Sequence, residues 1–144
     1  MKVNIYTYAS LSPRKKPRGY GYILECEREG KEPVTLSKIG ILDGTSQETS
    51  ALAVLEALRR LSKQAILDIY TESPYAFEVL VRLLPQWKQA GFKNSKNEDV
   101  ANKDIWMEIS EILEGYEYKV YCKREHQYKN WLIDQCKRKE TENV

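Results

Sequence analysis

The chain carries a single histidine, His126, and three cysteines, and it has no apolar run approaching the ~20 residues that cross a bilayer. The last absence argues against a membrane-spanning helix. Cys26, Cys122 and Cys136 show no metal or redox spacing. Their odd number, with no signal-peptide core ahead of the alternating Met1-Lys2-Val3-Asn4-Ile5 segment, leads us to expect free thiols in a reducing cytoplasm. An excess of charge is also missing. A net charge of +2 excludes a globally basic nucleic-acid binder. Internal repeats and linkers are absent too, so 144 residues are expected to form one domain over 1–140, with a disordered tail at 141–144.

The residues present are those of a globular protein, 42% hydrophobic and 31% charged, enough for a real core. The few surplus cations are clustered. Arg14, Lys15, Lys16 and Arg18 form one group, Lys119, Lys123 and Arg124 a second, and Lys137, Arg138 and Lys139 a third. Such groups either make a phosphate-binding stripe or lie on solvated loops and a frayed helix end.

Hydropathy patterning gives the order of elements. Residues 3–10, 19–28 and 33–42 alternate as strands rich in Tyr, Ile and Val, fit for an antiparallel meander. Asp43-Gly44 is turn chemistry, and Thr45 or Ser46 can cap the helix marked by Ala51, Leu52, Val54, Leu55, Leu58 and Leu61. The short run 65–71 suits a parallel strand buried on both faces. A helix over about 75–84, a short piece around Trp87 and a polar loop over 91–100 come next. They are followed by a helix with Ile105, Trp106, Ile109, Ile112 and Leu113 on one face, a strand at 117–123 and a last helix at about 127–139. The sum is a mixed α/β sheet with packed helices.

Five stretches then align with one family. Thr7-Tyr8-Ala9-Ser10 resembles Thr-Asp-Gly-Ser at the end of the first strand of type 1 ribonucleases H, and Gly19-Tyr20-Gly21 resembles that family's second strand. Thr71-Glu72-Ser73 with Tyr75 is similar to its Thr-Asp-Ser-x-Tyr. Trp87-Lys88, Gly91-Phe92-Lys93, then Asn102, Asp104 and Trp106 follow its Trp-Lys, Gly-Trp-Lys, Asn-x-Asp-Leu-Trp series in order and spacing. Asn130 and Asp134 resemble the pair on its last helix. The resemblance covers nearly the whole chain. It implies the ribonuclease H fold: a mixed five-stranded sheet, three strands antiparallel and the rest parallel, with helices on both faces.

The departures fall on the chemistry. The family holds two divalent ions with four carboxylates. The corresponding positions here are Tyr8, Ser50, Glu72 and Asp134, and only the last two are acids. Glu48 is no substitute for Ser50, because two residues turn a helix by about 200°. Glu72 is one methylene longer than the family Asp, and magnesium demands near-ideal geometry. His126 stands two places out of register with the family's histidine loop. Any Mg2+ or Mn2+ on Glu72 and Asp134 is therefore expected to be weakly bound.

The binding positions fare better. Thr45 and Asn102 match the family's phosphate-binding Thr and Asn, though Thr45 is equally compatible with a plain helix cap. Ser46 and Gln47 stand where the family reads a minor groove, and both still donate and accept hydrogen bonds. The family's basic handle is thinned to Lys88, Lys93, Lys96 and Lys103, and its glycine-rich first loop is replaced by Ser12-Pro13-Arg14-Lys15-Lys16-Pro17-Arg18. Trp87, Trp106 and Trp131 are either core or stacking residues. The reading that follows is a protein that binds RNA/DNA hybrid or a related duplex with little or no hydrolysis. The alternatives are a weak metal-dependent hybrid ribonuclease and a protein-interaction scaffold on the same fold.

Overall fold

The computed structural model describes residues 1–10 and 17–142. The loop cations Arg14, Lys15 and Lys16 lie outside the described residues. Alternating segments form β1 (Lys2–Ala9), β2 (Arg18–Arg28), β3 (Lys31–Leu42), β4 (Ile66–Thr71) and β5 (Glu117–Cys122). They make one five-stranded sheet in the order β3-β2-β1-β4-β5. The first three strands pair antiparallel, and β4 and β5 add on in parallel, as expected.

Helix α1 (Ser46–Arg59) begins where Thr45 Oγ1 accepts the Glu48 backbone N–H at 3.0 Å. Its apolar stripe, with Ala51, Val54 and Leu58, packs on Val3, Ile5, Tyr22, Leu24, Leu67 and Ile69. Trp106, Ile109 and Leu113 of α4 (Lys103–Leu113) complete the same core. Each such side chain taken fully from water contributes about 1.5–3 kcal/mol, and Ile5, Leu67, Ile69, Trp106 and Ile109 are all 0% exposed. Of the tryptophans, Trp106 is therefore core, Trp87 packs against its rim and Trp131 is exposed.

The other face of the sheet is covered differently. Helix α5 (Lys129–Glu142) places Leu132 on Tyr6 and Ile23. It approaches β2 so closely that a Cβ on Gly19 would sit 2.8 Å from Cys136 Cβ and 2.8 Å from its carbonyl oxygen. A Cβ on Gly21 would meet Ile39 at 2.5 Å. Gly19 is what lets the α5 backbone lie against this strand, while Gly21 makes room for Ile39 of β3.

Three expectations need correction. Strand β4 is buried on one face only: Leu67, Ile69 and Thr71 are covered, whereas Ile66 is exposed and Asp68 and Tyr70 are half-buried. The reason is that α5 packs over β1, β2 and β3 and stops short of β4. The helix and short piece expected around 75–89 are one continuous helical path: α2 (Pro74–Glu78), a π-helical turn (Val79–Leu83) and α3 (Leu84–Gln89). The wide turn comes just before Pro85, which has no N–H for a regular helical bond. Finally, α5 begins at Lys129 and runs to Glu142, so residues 141 and 142 are helical rather than tail, while residues 143–144 lie outside the described residues. No helix among the described residues is long and apolar enough to cross a membrane.

Candidate functional site

At the C-terminal ends of β1 and β4 the sheet opens into a small pocket. Its walls are Thr7, Tyr8, Ala9, Ser50, Ala53, Thr71, Glu72 and Ser73. Three of the four candidate positions thus converge. Glu48 does not line the pocket, as its helical phase dictates. Asp134 does not line it either. It lies on the exposed side of α5 and pairs with Arg138 one turn on, at 3.1 Å. The faces of α5 explain this. Leu132 and Cys136 point to the sheet, which turns Asp134 outward.

The pocket chemistry is that of one carboxylate among hydroxyls. Ser50 is buried, and its Oγ donates to the Ser46 carbonyl at 2.8 Å. Tyr8 packs with the small cluster of Tyr6, Ile23 and Leu132. Burial, with the Glu72 charge next in weight, pushes its phenol up to about 12, so it stays protonated. Glu72 itself is half-buried, and its Oε2 has no hydrogen-bond partner. Burial raises its carboxyl above the usual range of 4.5; Lys129 and Arg124 pull it back, and Glu125 pushes it up. The neighbouring elements are well tied. Thr71 Oγ1 accepts the Ser73 N–H at 3.1 Å, and Ser73 Oγ caps α2 through the Ala76 N–H at 3.1 Å.

Divalent metal chemistry needs more than this donor set offers. Among the described residues no group of three or more His, Cys, Asp and Glu side chains could hold a metal ion. One half-buried carboxylate with a half-buried phenol beside it does not fit a two-ion clamp. Of the proposed metal positions, Glu72 alone offers a free oxygen toward the pocket.

The binding candidates are distributed around the helix starts. Thr45 is exposed, with its hydroxyl oxygen engaged as the α1 cap. Ser46 and Gln47 form the first turn behind it. Asn102 precedes α4 in a left-handed conformation, φ 60°, which Asn tolerates better than most residues. Its Nδ2 donates to Tyr75 Oη at 3.1 Å, and the same oxygen accepts the buried Trp106 Nε1–H at 2.9 Å. This three-residue bond set fixes the Asn102 amide against α2 and leaves it a second N–H. The basic handle is largely neutralised within the chain. Lys88 pairs with Glu114, and Lys93 and Lys103 reach Asp99 at 2.7 and 3.3 Å. These are exposed pairs of small net worth, open to exchange for phosphates.

Sequence reading missed several neighbours. Glu140 accepts the Gly19 backbone N–H at 2.7 Å, and Lys129 and Arg124 set the field at Glu72. His126 lies tilted on the Tyr6 ring at 4.7 Å, and its Nδ1 accepts the Tyr128 backbone N–H at 3.1 Å. Burial, then Lys123, lowers its pKa, so it is a neutral ring at physiological pH.

A mixed sheet in the order 3-2-1-4-5 with a polar pocket at the ends of the two central strands defines the ribonuclease H-like class of α/β proteins. The chain belongs to the RNase H family, whose model matches residues 1–140. It is 30% identical over 132 residues to a ribonuclease H of Syntrophomonas wolfei, a match covering 90% of this chain and 88% of that one. Its fold is similar to that of LC9-RNase H1, a type 1 RNase H with the type 2 active-site motif. The TM-score is 0.82 at 18% identity over 99% of this chain and 74% of that chain. It is also similar in fold to LC11-RNase H1 in complex with RNA/DNA hybrid, with a TM-score of 0.63 at 13% identity over 95% and 97% of the two chains.

Proposed function

We propose that this RNase H-family protein binds RNA/DNA hybrid or a related duplex and hydrolyses it little or not at all. The observation that carries the reading is the pocket wall: one carboxylate, Glu72, beside Tyr8 and Ser50, with Asp134 paired to Arg138 outside it. Family carboxylates repel a phosphate until metal neutralises them. A pocket with one carboxylate repels a phosphate less and accepts it without metal. The phosphate ligands in this reading are Asn102 and Thr45 at two helix starts, with Ser46 and Gln47 toward the groove and Lys88, Lys93 and the 14–16 cations along the backbone. That a similar fold, LC11-RNase H1, is known in complex with hybrid supports the choice of ligand.

The test is fluorescence anisotropy with a labelled hybrid, titrated with salt, in EDTA and in magnesium. Binding should weaken linearly in log–log salt plots, with a slope of about −0.9 per phosphate contacted, and should persist in EDTA. Asn102→Asp tolerates the same backbone and still bonds Tyr75, but sets a charge against phosphate, so it should weaken binding. A strict magnesium requirement overturns the reading. One observation favours a second reading, a weak metal-dependent ribonuclease: the unpartnered Glu72 Oε2 is a ligand for a single ion. Cleavage that depends on Glu72 would establish it.

A further inference from the structure

A row of tyrosines runs from beneath α5 to the open edge of the sheet, and the duplex reading does not use it. Tyr6, Tyr70 and Tyr121 are direct cross-strand partners on β1, β4 and β5. Their rings stack in a row. Tyr6 and Tyr70 are 4.7 Å apart and 8° from parallel; Tyr70 and Tyr121 are 5.0 Å apart and 18° from parallel. Those separations match the ~4.8 Å between neighbouring strands, so the rings stand on edge across the sheet. The row ends at Tyr121, because β5 is the edge strand. Tyr121 is 39% exposed, and among the described residues its outer face has no stacking partner.

The charges beside this free face are cationic. Lys119 and Lys123 lie two residues to either side of Tyr121, hence on the same face of the strand. The Lys123 backbone N–H extends the ladder to the Thr71 carbonyl at 2.8 Å, and its Nζ stands 6.0 Å from the Tyr70 ring centre. Arg124 follows. Lys119, Lys123 and Arg124 are exposed, and none has an ion-pair partner among the described residues. The nearest acid on the strand facing them, Asp68, is held by Lys2 at 2.8 Å. Glu117, at the start of β5, limits the cationic stretch on that side.

We infer that this edge is a second site, for single-stranded nucleic acid. One base continues the tyrosine row on the outer face of Tyr121, and the phosphates on either side of it lie on Lys119 and on Lys123 with Arg124. The pattern has the two parts that sequence-tolerant single-strand binding requires: a π-face for the base and cations tracking the backbone. The cations favour an anionic chain, and the open aromatic face favours one that carries bases. Arg124 also acts on Glu72 in the pocket, so the separation of the two sites rests on Lys119, Tyr121 and Lys123, none of which is a duplex-binding position.

The test uses two fluorescein-labelled chains of equal length and phosphate number, oligothymidylate and its abasic counterpart, with anisotropy read in EDTA at low salt. The intact protein should bind oligothymidylate about tenfold more tightly than the abasic chain, the scale of one base–aromatic stack. Tyr121→Ala should erase that preference and Tyr121→Phe should keep it. Lys123→Ala with Arg124→Ala should weaken both chains. Hybrid binding should be unchanged in Tyr121→Ala, which separates this site from the duplex reading. Equal binding of the two chains by the intact protein, no binding of either, or a base preference that survives Tyr121→Ala overturns the inference. So does a Tyr121→Ala variant whose only change is the loss of a dimer in sedimentation, which would make the edge a contact between copies.

Discussion

Replacing Glu72 with Gln should stabilise the protein at neutral pH. The carboxylate is half-buried and its Oε2 lacks a hydrogen-bond partner. An unsatisfied buried polar atom costs about 1–3 kcal/mol, more when charged. Partial exposure and the Lys129 and Arg124 charges offset part of that cost. Gln keeps the shape and removes the charge, so the gain should be on the order of 1 kcal/mol, or about 3 °C in Tm for a domain of this size. The pH dependence fixes the cause. The folded carboxyl lies above the ordinary value of 4.5, so the folded state binds more protons than the unfolded state. The stability linked to this group is complete below the ordinary value and is lost as pH rises through the raised one. The advantage of Gln should therefore be present at neutral pH and fade toward about pH 4, where Glu72 is protonated in both states. Thermal melts of the two proteins across that range, in EDTA and in magnesium, make the assay. A lower Tm for Glu72→Gln at neutral pH would refute the reasoning. So would magnesium raising the Tm of the wild type alone, because a ligand bound only to the folded state stabilises it.

Gly19→Ala drives a methyl into the Cys136 backbone and side chain. Overpacking of this kind costs about 1–3 kcal/mol, and a denaturant midpoint that falls while the slope holds would show it. Tyr75→Phe strips the acceptor from the buried Trp106 Nε1–H and frees the Asn102 amide. It should lower stability by about 1–3 kcal/mol and weaken hybrid binding, read by melting and anisotropy together. Tyr8→Asp combined with Ser50→Glu puts two carboxylates back into the pocket wall. It should raise metal-dependent hybrid cleavage by about a hundredfold or more, measured against the same pair carrying Glu72→Ala.

Much of this was legible in the sequence because period and punctuation agreed. Thr45 capped its helix as its position required, the four alternating segments and the short apolar run became strands, and Asp43-Gly44 turned the chain. The parallel pairing of β4 followed from its short apolar run, but its open face did not. That depends on where α5 lies, and α5 comes in against Gly19, whose missing side chain leaves no periodic signal. The π-helical turn before Pro85 was hidden for a similar reason, since it keeps helical spacing while widening one turn. At the candidate site, the resemblance to the family's motifs picked out Tyr8, Ser50 and Glu72, which the structure brings together. Asp134 was different. Whether an acid on a helix faces a pocket or solvent is a matter of helical phase, and Leu132 and Cys136 take the inward phase here. The tyrosine row was legible only as three strand tyrosines, because cross-strand neighbours are set by register, which a single strand does not carry.

If this RNase H-family pocket binds without efficient hydrolysis, a labelled RNA/DNA hybrid should survive it, and cleavage of that hybrid is the direct measurement. The wild type and a Glu72→Ala, Asp134→Ala double variant, purified identically, are compared in magnesium and in manganese. Both preparations should show the same background cleavage, traceable to host enzyme. Cleavage by the wild type that disappears in the double variant would contradict it.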